Sequence, residues 1–151
     1  MSIHHQIEAL IADVARPIVE NGVQIVSPAY IADEVDRRID PDGIAPTEKT
    51  YATRMYLRHE VRKFLARNYD PVERTRADAI EAQTDLFADV LQDYYPVKRH
   101  IGGEEVLVYT RREYLNHTDA TRLAERMKRG GESLIKHAEA LLAYVIDREA
   151  A

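Results

Sequence analysis

Apolar residues at Ile3, Ile7, Leu10, Ile11, Val14 and Ile18 recur at steps of three and four, the spacing that lines one face of a helix. Pro17 should weaken the last turn of that helix, and Asn21-Gly22 supplies its stop. VQIV, from Val23 to Val26, reads as a short β-branched strand. Ser27-Pro28 follows as cap and first residue of a second helix, with Ile31, Val35 and Ile39 at steps of four. DPDGIAP breaks that helix with two prolines and a glycine. A third helix follows over Glu48–Asn68, with Thr47 as its expected cap. Asp70, Pro71 and Glu73 resemble a capping box for a fourth helix, which the pattern of Ile80, Phe87, Val90, Leu91 and Tyr94 carries to about Asp93.

The period then changes from helix to strand. YYPVKRHIGGEEVLVYT alternates β-formers about Gly102-Gly103, a pair suited to a tight turn, and a two-residue loop would set Val97 opposite Val108 and His100 opposite Glu105. Helical spacing returns from about Thr118 to Arg129. It returns again over Glu132–Arg148, where Leu134, Ala138, Leu141 and Val145 share a face that Ile135, Leu142 and Ile146 widen. The expected fold is mainly α, about six helices with one β-hairpin between Tyr95 and Thr110. One domain over 1–151 is expected, with a helix-turn-helix-like part over 1–70 and a long helix, the hairpin and two C-terminal helices over 71–151.

Composition narrows the chemistry. The 151 residues carry 45% hydrophobic and 31% charged side chains and a net charge of −5, which suits a globular protein with a solvated exterior. Without cysteine there is no disulfide, thiolate metal site or cysteine nucleophile. The N-terminal segment lacks the apolar core of a signal peptide, and no run reaches the roughly 18 apolar residues of a membrane span, so a cytoplasmic location without a membrane partner is expected. Six histidines form no metal-binding spacing, and His4 and His5, being neighbours, would point in different directions on a helix. Glu104-Glu105 flanks the turn as solvated charge, Gly102-Gly103 lies in no phosphate-loop motif, and Ser27 and Ser133 read as helix-start residues. His137 borders the apolar stripe of the last helix, where a hydrogen-bonded structural histidine is the expectation. Neither a catalytic residue, nor a metal, nor a cofactor is therefore expected.

One segment stands apart from the acidic whole. Between Glu48 and Asn68, six cations (Lys49, Arg54, Arg58, Arg62, Lys63 and Arg67) face two carboxylates, Glu48 and Glu60, a local balance of +4. Positive charge concentrated on one helix is the footprint of phosphate contact. Leu57, Val61, Phe64 and Leu65 mark its inner face, with Arg54 on that side and Arg58 at its border, expected to cover the core or pair with carboxylates of another helix. The outer face offers Lys49, Tyr56, His59, Lys63 and Arg67, opposed by Glu60, with Arg62 between the faces. These residues, Arg62 included, are the candidate nucleic-acid contacts, to DNA or RNA. The alternative is a protein-interaction or inhibitor module using the acidic remainder of the surface or the hairpin edge. The broad apolar stripe of the last helix needs cover from its own chain or from a second copy, and a homodimer is the favoured expectation.

The order helix, short strand, helix, long basic helix and later hairpin resembles a divergent winged helix-turn-helix core, with Glu48–Asn68 as the reading helix and a C-terminal helical extension. DPDGIAPT is longer than the usual turn, and a complete helix separates reader from wing, which puts a wing role for Lys98, Arg99 and His100 in doubt. The runs VSPAYIADEVDRRID, TRMYLRHEVRKFL, GGEEVLVYTRREYL and LIKHAEALLAY resemble small uncharacterised proteins of bacterial phages and prophages. That resemblance implies a bacterial cytoplasmic setting and an accessory or regulatory role.

Overall fold

The computed structural model describes residues 3–39, 48–78 and 91–151, with the backbone alone described at 3, 48–52, 75–78 and 132–133. Among these residues there are six α-helices, α1 (Ile3–Glu20), α2 (Pro28–Ile39), α3 (Glu48–Tyr69), α4 (Pro71–Asp78), α5 (His117–Lys128) and α6 (Glu132–Ala150). Three strands, β1 (Ile25–Val26), β2 (Tyr94–Ile101) and β3 (Glu104–Arg111), and a 3-10 turn at Arg112–Tyr114 complete the elements. Over the described residues the chain is mainly helical with a single β-hairpin, as its periodicities indicate. It divides into two compact units, Met1–Leu65 and Ala66–Ala151.

In the first unit, α1 and α2 bury Ile11, Val14, Ala15, Ile31, Ala32 and Val35. Pro17 lies within α1 but on its exposed side, as does Asp13, whose carbonyl loses a helical donor to the proline. The helix ends where the Asn21 and Gly22 amides donate back to Pro17 and Val19, with Gly22 at a φ of 64° that a side chain would oppose. Ser27 caps α2 as expected, its Oγ 3.4 Å from the Tyr30 amide. Ile39, expected on the buried stripe, is instead 45% exposed, because α2 ends there and its last turn leaves the packed face. Thr47 and DPDGIAP lie outside the described residues.

In the second unit, Asp70 caps α4 by accepting the Val72 amide at 3.1 Å. The fourth helix does not reach Asp93: residues 91–93 are not helical, and Tyr94 belongs to β2. Ile80, Phe87 and Val90 lie outside the described residues. Gln92 explains the change, since its amide donates to the Tyr94 and Tyr69 carbonyls and its own N–H to the Tyr95 hydroxyl. The hairpin has the anticipated register, Val97 opposite Val108 and His100 opposite Glu105. Gly102 and Gly103, at φ of 62° and 82°, form the two-residue turn that matches strand twist. Alternation gives the ribbon two faces. Tyr95 and Val97 join Leu115, Leu123, Met127 and Leu141 in one core, while Tyr94 and Tyr109 on the other face hold Tyr69 edge-on, at ring-centroid distances of 5.8 and 6.2 Å.

The start of α5 shows a feature the sequence reading passed over. Asn116 accepts the Asp119 amide at 2.8 Å and Asp119 accepts the Asn116 amide at 3.2 Å, a reciprocal capping box. Leu134, Ala138, Leu141 and Val145 of α6 are buried in this core, while Ile135 and Ile146 stay exposed. Among the described residues no helix is long and apolar enough to cross a membrane.

Candidate nucleic-acid interface

α3 owes its inner face to Leu57, Val61 and Leu65, all 1% exposed or less. Their spacing of four places a buried sector along the helix, and everything roughly opposite must meet solvent. Phe64, on the same side, is half-buried.

Glu60 corrects the expected layout. It was expected to oppose the outer cations, yet it is 7% exposed and sits in the buried sector. One turn from Leu57 and beside Val61, its carboxylate lies 3.6 Å from His4 Nδ1 and 3.6 Å from Lys63 Nζ. Turned inward, this carboxylate is shared between His4 and Lys63, and of the outer cations it meets Lys63. Arg54 behaves as expected for a cation on the inner side: its Nε donates to Asp36 of α2 at 3.0 Å.

The exposed arc of α3 therefore holds two adjacent rows one helical turn apart in step. Arg58 and Arg62 form one, and His59, Lys63 and Arg67 the other, with Tyr56 beside them. All six are exposed, and the Glu60 carboxylate meets Lys63 from the arc's buried side. From Arg58 to Arg67 the arc spans about 14 Å along the axis at the helical rise. Arg62, placed between the faces by spacing, proves fully part of the outer one. Arg58, assigned to the core border, is exposed as well, and among the described residues neither it nor Arg62 has an ion-pair partner. Lys49 lies in the first turn of α3, where its side chain is outside the description. Like charges at such spacing repel one another, so the arrangement costs the isolated helix a few tenths of a kcal/mol per pair. An anion laid along the arc would reverse that cost.

No protein-family model matches the chain, and neither a curated protein nor a solved structure matches it. The interface rests on its own geometry. Among the described residues no group of three His, Asp or Glu side chains is placed to hold a metal ion.

The histidine singled out on the last helix has a structural setting. His137 Nε2 lies 2.7 Å from the Tyr95 hydroxyl, and burial, aided by the Arg74 charge, lowers its pKa to about 4. Burial also pushes the Tyr95 hydroxyl well above its ordinary value. The hydroxyl accepts the Gln92 N–H and has one proton to give, which suits a neutral imidazole accepting at Nε2. His137 therefore packs in the core rather than at its border.

Proposed function

We propose that this chain binds nucleic acid without catalysing a reaction, meeting phosphates through the outer arc of α3. The supporting observation is that Arg58 and Arg62, which have no ion-pair partner among the described residues, share the exposed arc of α3 with Lys63 and Arg67 in a protein of net charge −5. Tyr56 and His59 flank the cations and add hydrogen bonding or stacking to bases. In this reading α3 is the reading helix of a divergent winged helix-turn-helix, duplex DNA is the leading partner, and the protein serves an accessory or regulatory role of the phage or prophage kind.

Each phosphate neutralised releases counterions, so four contacts give a slope of about −3.6 in log affinity against log salt. Fluorescence anisotropy with a labelled duplex and a labelled single strand measures it. Replacing Arg62 and Lys63 by Glu should weaken binding by at least about tenfold at low salt and flatten the slope by about 2. No binding of either probe at low salt refutes the proposal, and partners captured from a bacterial lysate that survive nuclease would point to protein instead.

The proposal includes a homodimer through α6. Ile135, Leu142 and Ile146 lie along one line of that helix, the first and last exposed and Leu142 half-buried against its own core. Light scattering should report about twice the 17.3 kDa chain mass, and Ile146→Glu should return the protein to 17.3 kDa with its helical signal intact. A wild-type monomer at every concentration up to saturation contradicts this part.

A further inference from the structure

The second unit contains a cleft of about 440 Å³ beside the outer edge of β2. Its walls are Pro96, Val97 and Leu107 from the hairpin and Leu123 from α5, so its lining is mainly apolar. This volume is in the range of small-molecule sites. The charged groups around it are not equivalent. Asp70 already accepts Arg126 Nη1 at 2.7 Å and the Val72 amide, and Asp119 already accepts both Arg99 nitrogens at 2.7 and 2.8 Å and the Asn116 amide. Both carboxylates are thus held by donors of the protein itself.

The cations are less committed. Arg122, one turn before Arg126 on α5, is exposed and has no ion-pair partner among the described residues. Lys98 is 70% exposed, and among the described residues its ion-pair partner is the exposed Glu105, at 3.6 Å. An apolar floor, with its carboxylates saturated and two cations available at the rim, complements a body without polar groups that carries one negative charge.

Pairing of a partner strand along β2 fits this edge poorly. With a two-residue turn, Ile101 and Glu104 close the ladder, and hydrogen-bonded pairs recur at every second residue. The Arg112 amide on the Asp93 carbonyl, at 2.8 Å, lies in the same phase. Lys98 and Pro96 therefore turn their backbone groups away from β3, and Pro96 has no N–H to offer there.

We infer that this cleft binds a small amphipathic carboxylate, its aryl or branched acyl body on Pro96, Val97, Leu107 and Leu123 and its carboxylate between Lys98 and Arg122. Titration of the full chain with 2-naphthylacetate, followed by amide NMR shifts, tests it. Shifts should concentrate at Val97, Lys98, Leu107 and Arg122–Arg126, with a Kd of about 0.1 mM. The neutral 2-naphthylacetamide should bind at least about fivefold more weakly, since it lacks the charge-assisted contacts. Combining Lys98→Gln with Arg122→Gln should bring the carboxylate down to the amide's affinity and leave the amide's own affinity unchanged. The inference fails if no shifts occur at millimolar ligand, if they map elsewhere, or if acid and amide bind alike.

Discussion

Lowering the pH from 7 to 4 should remove about 3 kcal/mol of folding stability through His137 alone. Burial holds this imidazole's folded pKa at about 4, below the 6.5 of an exposed histidine, so the unfolded chain takes up the proton first. The sign follows from that order. Stability is complete above about pH 6.5, falls as pH drops from 6.5 to 4, and stops changing on this account below 4. Carboxylates titrate in the lower part of the same window, which makes a comparison necessary. Urea unfolding of the wild type and of His137→Gln at both pH values supplies it. The variant should begin about 1 kcal/mol less stable at pH 7, having lost its bond to Tyr95, and should lose about 3 kcal/mol less on acidification. Equal losses in the two proteins would show that His137 takes up its proton as readily in the folded as in the unfolded state.

Asp119→Ala should destabilise the protein by about 3 kcal/mol, more than any change on the outer arc of α3. Two roles are lost at once. The carboxylate, 5% exposed, holds Arg99 through two hydrogen bonds, and it closes the capping box that starts α5. The cap contributes about 1 kcal/mol, and stranding Arg99 supplies the rest, moderated because that side chain is 28% exposed and can reach water. Asp119→Asn retains an acceptor for the Asn116 amide and should lose roughly half as much. Adding Arg99→Met to Asp119→Ala should recover part of the loss by removing the unpaired charge. Urea midpoints at pH 7 measure all three together with Arg99→Met alone, and a double-variant loss equal to the sum of the two single losses would mean that the pair is not coupled.

Several elements are legible in the sequence because their causes are local. Ser27-Pro28 starts α2, the glycine pair sets the hairpin register, and Leu134, Ala138, Leu141 and Val145 mark the buried side of α6. Asn116 and Asp119 carried an equally local signal, a cap residue followed three positions later by a carboxylate, that went unread. Leu91 and Tyr94 lie outside the fourth helix although they satisfy helical spacing and strand alternation alike. Only the Gln92 bonds to Tyr69, Tyr94 and Tyr95 show which holds.

For the candidate interface, sequence alone located the charge but not its outward direction. The six cations of α3 and their excess over carboxylates are properties of composition, and Leu57, Val61 and Leu65 identify an inner side from helical period alone. With so few apolar residues, the width of that side is undetermined. Tertiary structure decides it: Glu60 turns inward to His4 and Lys63, Arg54 reaches Asp36 on another helix, and Arg58 and Arg62 are left in solvent. The same holds for Asp119, whose partner Arg99 is 20 residues away on a different element. Periodicity fixes the angle of a side chain about its own helix, but the burial of a charge depends on whether a partner from elsewhere in the chain compensates its desolvation, and only the folded arrangement supplies that partner.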